Sequence, residues 1–569
     1  MTLRRALPLL LLVLLCAASC GGSDSSAPAP AAAQRPLAMT DVAVSADALM
    51  ADIRKLSSDE FEGRLPGTKG ETLTVQYFVD QFKAMGLQPG NPDGTFIQKV
   101  PLVGLSGGPS PLVVKKGAAS HTFKVREDFV AFSKHVVDDV GIENSELVFA
   151  GYGVQAPEYQ WDDFRGVDVK GKTIIVLVND PPVPDPANAK ELDPKTFGGK
   201  AMTYYGRWTY KFEKAAELGA AGVLIVHETI PAAYPWTVVQ TMGGERFDLV
   251  TPDKNARRAK VEGWISMEAA TALLKMAGQD YQKLKAAARA STFKAVPLGM
   301  TASVSIKQKM RTIDSQNVIA KLPGSDPKLR DEYVIYTAHW DAFGTGDPVK
   351  GDSIRNGAAD NASGCAMVLE IARQLKKHPA KRSALFLMVT AEESGLLGSQ
   401  YYSDFPLYPL GKTLANINID GINQWGRTKD LTVVGLGASD LDDYAKDAAA
   451  EQSRVLKPDA EPEKGFYYRS DHFNFAKKGV PAFDPDSGVD FIGKPAGYGQ
   501  QKRDEYTKND YHAPSDEVKP DWDLAGAVED ARLFLLMGHR IANADRFPAW
   551  KPGNEFKSIR EKMLQIISK

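Results

Sequence analysis

The chain has 569 residues, 43% of them hydrophobic and 25% charged, the composition of a globular protein of roughly two to four domains with ample material for large cores. Its net charge is −2 and its pI near 6.5. With no Lys/Arg block, these values argue against a nucleic-acid-binding surface.

The N-terminus is not fold material. Met1–Arg5 is short and basic, and the apolar run 6–15 is too short to span a bilayer. It ends at Ala17-Ala18-Ser19-Cys20, which resembles a bacterial lipobox. That resemblance implies a signal peptide over 1–19, acylation of Cys20, and a membrane anchor in the bacterial cell envelope. The periplasmic side of the outer membrane, or export, follows from it. The other reading is an ordinary signal peptide in which Cys20 is incidental. Residues 20–38 are rich in Gly, Ser, Pro and Ala, a disordered tether. Of three cysteines only Cys365 lies in fold material, inside an apolar helical run. It reads as a buried small residue, and no disulfide is expected.

Residues 47–58 and 72–86 carry apolar residues at three- and four-residue spacing and predict helices, with a Gly/Pro loop, FEGRLPGTKGE (61–71), between them. From about 140 the pattern turns to short strands, 146–154 and 172–180, then a helix, a glycine turn and a buried strand over 211–228. The loop before that helix holds an aromatic cluster, Tyr204-Tyr205-Gly206-Arg207-Trp208. His227, at its strand's end, reads as a structural or exposed residue. From about 315 a second α/β pattern begins: NVIAKLPG, EYVIYTAHWD, ALFLMVTAEE and LANINIDG as strands, 364–377 as an amphipathic helix, and 525–543 as a long one. Strands alternating with helices predict a mixed, largely parallel sheet covered on both faces.

Ligands in such sheets gather beyond the carboxyl ends of the strands. Here His339 and Asp341 end one strand, Glu392 and Glu393 a second, and Asp420 a third. Asp360 precedes a helix, and His512 lies far downstream in NDYHAPSD. Singly, each has an ordinary reading: a satisfied histidine, an N-cap, a turn. Together, acids that end successive buried strands repel one another unless cations neutralise them.

The pieces AHWD (338–341), ADNASG (359–364), AEESGLLGS (391–399), NIDG (418–421), RSDHFNFAKKGVPA (469–482) and YHAPSD (511–516) occur in one order. Together with 58–71, they resemble the dinuclear zinc exopeptidases of the aminopeptidase Y and aminopeptidase S type, metallopeptidase family twenty-eight. The resemblance implies that His339 and Asp420 bind one zinc, Glu393 and His512 the other, and that Asp360 bridges both. It implies further that Asp341 steadies His339 and that a cis peptide follows Asp360. Glu392 would be the general base. Tyr511 reads equally as a donor to the tetrahedral oxyanion or as a packing aromatic. Asp471 and His472 read as a wall of the substrate site or as a capped helix start, in a supporting role. By the same resemblance 39–138 and 306–569 form the peptidase domain and 139–305 is a β-rich α/β protease-associated insert. That insert would gate substrate, mediate contacts in a homodimer or bind a partner.

The loop 343–359 is a surface excursion bordering the cleft. DNASG, in place of the DPQSG of glutamate carboxypeptidase relatives, favours an aminopeptidase acting on peptides. A carboxypeptidase-type relative, a mononuclear zinc acyltransferase like glutaminyl cyclase, and a non-catalytic binding protein on the same scaffold stay open as alternatives.

Overall fold

The computed structural model describes residues 37–240 and 245–567. The lipobox, Cys20 and most of the tether therefore lie outside the described residues. No helix among the described residues is long and apolar enough to cross a membrane.

The architecture is α/β. Tyr333–His339 runs parallel to Ser383–Val389 on one side and to Thr413–Asn418 on the other. Thr413–Asn418 in turn pairs in parallel with Ala482–Asp486. All three of the first-named strands are buried along their whole length. This is why they read as continuous apolar runs: parallel strands covered on both faces have no solvent side. One face packs under the helices Ala46–Leu56, Lys69–Ala84, Ser363–Lys377 and Ala525–Asn543, with Leu49, Phe78, Phe82, Leu369 and Leu536 in the shared core. The other face takes Tyr402, Phe473, Phe475 and Trp550. Truncating a core residue such as Leu369, which has no exposed surface, is expected to cost about 2–5 kcal/mol. Register decides function: His339 stands opposite Val389, and Thr337 opposite Asn418, so the strands run out at one edge and their following loops meet.

A second run of parallel strands lies between residues 139 and 266. Thr173–Leu177, Gly222–His227 and Val261–Ser266 are parallel neighbours, with Asp139–Phe149 beside the first. It has its own apolar layers on both faces. These layers also take in Leu112, Val114, Phe123 and Phe129, N-terminal of position 139. A single strand, Val296–Leu322, joins the two regions. It pairs with Asp139–Phe149 at its start and with Ser383–Val389 at its end. Between them it holds an antiparallel ladder with Ile97–Pro109. The two sheets are thereby fixed to one another by backbone hydrogen bonds.

The helices predicted at 364–377 and 525–543 are present as Ser363–Lys377 and Ala525–Asn543. The excursion 343–359 is more ordered than its composition suggests. Gly344–Val349 and Asp352–Arg355 pair as an antiparallel ribbon.

Candidate metal centre

The predicted ligands converge. His339 Nε2 lies 3.1 Å from Asp360 Oδ1 and 3.1 Å from Asp420 Oδ1. On the other side of Asp360, its Oδ2 lies 3.3 Å from His512 Nε2, which is 3.2 Å from Glu393 Oε2. His339, Asp360 and Asp420 thus offer one group of donor atoms, and Asp360, Glu393 and His512 another, each with its atoms within 4.8 Å of one another. Glu392 faces His339 Nε2 at 3.9 Å, and Glu392, His339 and Glu393 form a third such group.

Local structure explains the convergence. After Val389 the chain turns through Ala391, a buried residue with φ +52°, a conformation that an L-residue adopts only when its surroundings impose it. The turn sends Glu392 and Glu393 in different directions. Asp341 fixes it, accepting the backbone N–H of Glu392 at 3.0 Å and of Glu393 at 3.3 Å. The Asp341 carboxylate stands 3.7 Å from His339 Nδ1, farther than the Asp341 carbonyl oxygen at 3.2 Å. The ring is therefore oriented through the main chain, and the carboxylate holds the glutamate loop. The Asp360–Asn361 peptide is cis.

Three residues given no role in the sequence reading organise the ligands. Arg64, buried, donates to the carbonyls of Leu56, Trp340, Asn356 and Gly357. It ties the segment after His339 to the one before Asp360. Asp516 accepts the N–H groups of Ala359 and Asp360 at 3.0 and 3.1 Å. Ser470 donates to Asp420 Oδ2 at 2.6 Å. Arg64 lies in FEGRLPGTKGE, Asp516 in YHAPSD and Ser470 in RSDHF, so the motifs were visible although these duties were not.

Asp471 and His472 are fully buried, and among the described residues neither the carboxylate oxygens nor the ring nitrogens make a hydrogen bond. His472 Nδ1 is 3.5 Å from Asp484, and burial holds the ring neutral, with its pKa near 3. Tyr511, 48% exposed, stacks on the His512 ring at 3.6 Å between centroids.

The electrostatics match a cation site. Burial opposes charge on His339, yet Glu392 and Asp420 outweigh it and hold the imidazole well above its ordinary range. His512 is pushed up to about 10, Glu393 and Asp360 overcoming its burial. Burial and the nearby Asp360 raise Glu393 to about 7. Burial, followed by Asp420 and Glu393, raises Glu392 well above the usual carboxylate range. Glu393 Oε1 is buried without a partner, a cost that bound cations would remove. Imidazole and carboxylate donors in two groups sharing one aspartate suit Zn²⁺.

Residues 317–536, which hold all five ligand positions, match the model of Peptidase family M28. This region is similar to M28 peptidase domains. Among curated proteins, aminopeptidase YwaD of Bacillus subtilis is 35% identical over 121 residues, 21% of this chain and 24% of that protein. A probable leucine aminopeptidase of Arthroderma otae is 30% identical over 177 residues, 29% of this chain and 45% of that protein. A probable zinc metalloprotease of Pyrenophora tritici-repentis is 38% identical over 108 residues, 19% of this chain and 20% of that protein. The chain thus spans less than half the length of these curated relatives. Among solved structures, an aminopeptidase from Aneurinibacillus sp. strain AM-1 aligns over 91% of this chain and 97% of its own, at 20% identity and a TM-score of 0.49.

A cavity of about 890 Å³ opens onto this centre. Glu392, Glu393 and Tyr511 line it, as do Phe343, Gly346 and Arg355 of the excursion 343–359. Arg207, just before the helix Trp208–Glu217, with Phe247 and Trp264, also lines the cavity.

Proposed function

We propose that the protein is a zinc-dependent exopeptidase that removes N-terminal residues from peptides, with two zinc ions held by His339, Asp360, Glu393, Asp420 and His512. The observation that carries this is the shared aspartate: the two oxygens of Asp360 face two separate groups of donors, each with one imidazole and one further carboxylate. Zinc bound there would polarise the scissile carbonyl and lower the pKa of water to about 7.

The chain's own residues do the rest. Glu392, 3.9 Å from His339 Nε2 and grouped with His339 and Glu393 but not with the shared Asp360, takes the proton of the attacking water and returns it to the leaving amine. A carboxylate beside the attacking water can serve both halves of that shuttle. Tyr511, on the cavity wall, donates its hydroxyl to the developing oxyanion. Asp341 keeps Glu392 and Glu393 apart through their backbone N–H groups. Asp471 and His472 support the centre from behind. The region 139–305 serves as a protease-associated insert forming one wall of the substrate cavity. An anchor at Cys20 places the enzyme in the cell envelope.

Zinc analysis of the purified protein, with a panel of aminoacyl-arylamides and of free and N-acetylated peptides, tests the reading. Two zinc ions per chain and cleavage that requires a free N-terminus are expected. One zinc would favour the mononuclear acyltransferase, and cleavage that requires a free C-terminus would replace aminopeptidase by carboxypeptidase.

A further inference from the structure

The cavity lining carries a buried cation without a counter-ion among the described residues. Arg207 belongs to the aromatic cluster 204–208, just before the helix Trp208–Glu217. Its side chain lines the cavity that also exposes Glu392 and Glu393. Arg207 is only 8% exposed, and among the described residues its guanidinium makes no hydrogen bond or ion pair. Its Nε is buried and unpartnered. Its one charge-related contact is the face of Trp208, 6.0 Å from the ring centre.

Leaving a buried guanidinium unpaired is costly, and here a second one makes it worse. Arg469 lines the same cavity, its Nε likewise without a partner. It donates to the Lys464 carbonyl at 2.7 Å and lies over the Phe466 ring. After burial, Arg469 is the largest influence depressing the Arg207 charge. Arg469 in turn lies within electrostatic reach of Tyr511, beside the metal ligand His512. Glu213, an acid of the same lining, is already committed: it pairs with Lys477 at 2.8 Å and accepts the Tyr204 hydroxyl at 2.6 Å.

The arrangement is held in place. Tyr204 packs on Tyr468 and Phe473, at 5.8 and 4.8 Å between ring centres. Met202 donates its N–H to the Pro462 carbonyl at 3.0 Å. A Cβ at Gly465 would stand 3.4 Å from Arg207 Cδ, so the arginine runs closely over the loop that carries Arg469. Two guanidiniums from different parts of the chain, fixed over one cavity, present paired planar donors that match a carboxylate.

We propose that Arg207 and Arg469 form an anion subsite of the substrate cavity that binds a carboxylate of the peptide substrate. The proposal rests on the peptidase reading above and narrows its substrates. A fixed subsite in the cavity that also exposes Glu392 and Glu393 selects short peptides whose free C-terminal carboxylate reaches it, or peptides with an acidic side chain near the scissile bond.

The test compares substrates that differ only in that charge, with zinc-loaded wild type, Arg207→Met, Arg469→Met and Arg207→Lys. Leu-Ala against Leu-Ala amide reads the C-terminal carboxylate, and Glu-arylamide against Gln-arylamide reads the side chain. In wild type, kcat/KM for the charged member of one pair is expected to exceed its neutral twin about ten- to a hundredfold, the scale of a charge-assisted hydrogen bond. The ratio falls to near one in both Met variants and is partly kept in Arg207→Lys, whose thermal melting guards against misfolding. No preference in either pair, or a preference untouched by both Met variants, overturns the proposal. If zinc-loaded wild type cleaves nothing, the peptidase reading fails separately. Calorimetric binding of Leu-Ala against its amide then decides the subsite: acid-selective binding lost in Arg207→Met supports it, and equal binding overturns it.

Discussion

Two histidines end two buried parallel strands in this molecule, and they have opposite characters. His227 closes Gly222–His227 and His339 closes Tyr333–His339; they are 3% and 1% exposed. His227 meets the Tyr234 carbonyl at 3.1 Å and the rings of Tyr234, Trp236 and Trp264. Burial lowers its pKa. His339 is at least as buried, yet its Nε2 faces Asp360, Asp420 and Glu392, and its pKa is raised. Position on a strand makes a histidine neither ligand nor filler. The groups brought up to its ring decide: three carboxylates within 4 Å of His339, aromatic rings and a carbonyl around His227.

The comparison can be broken most severely at the shared aspartate. Asp360→Ala removes a donor from both groups, so bound zinc, measured by atomic absorption, is expected to fall and hydrolysis to vanish with it. Glu392→Gln comes next: zinc is retained, while kcat drops by about 10²–10⁴-fold, the usual worth of a general base. Full activity in that variant would place the base elsewhere.

Proton competition gives a graded effect. In the zinc-free protein the His339 and His512 imidazoles hold protons well above ordinary histidine pKa, His512 up to about 10. Zinc must displace them, so affinity rises with pH below those values, each released proton contributing a factor of about ten per pH unit. Competition titrations with a chelator at several pH values between 6 and 9 check the sign. Zinc at about a hundredfold over its dissociation constant adds about 2.7 kcal/mol of stability, which a chelator should remove as a fall in Tm.

The smallest effect belongs to the other sheet. Because burial lowers the folded-state pKa of His227, the unfolded chain binds its proton first. Its contribution is full above the unfolded value of about 6.5 and is lost as pH falls toward the folded one. His227→Phe is expected to leave zinc content and turnover unchanged, to shift stability by about 1 kcal/mol or less, and to flatten the fall of Tm below pH 6.5. A loss of zinc in that variant would erase the contrast between the two strand ends.

Much of this was legible in the amino-acid order. Continuous apolar runs such as Ser383–Val389 announced strands buried on both faces, and the 3.6-residue rhythm of 364–377 and 525–543 announced helices that the structure contains. Periodicity is a local property, so a local reading finds it. The ligand types at strand ends were also visible, because a charge at the end of a buried run has no apolar explanation.

What the order of residues could not supply was mutual distance. That Asp360 stands between His339 and His512, that Arg64 ties two distant loops together, and that Asp341 braces a glutamate turn rather than the imidazole beside it all depend on register between strands far apart in the chain. Arg207 is the sharpest instance. As one cation in an aromatic loop it carried no message. Only packing shows that water has been taken from it, that no acid among the described residues replaces the water, and that a second guanidinium lines the same cavity. Electrostatic free energy depends on separation and burial, and both are fixed only when the chain has folded.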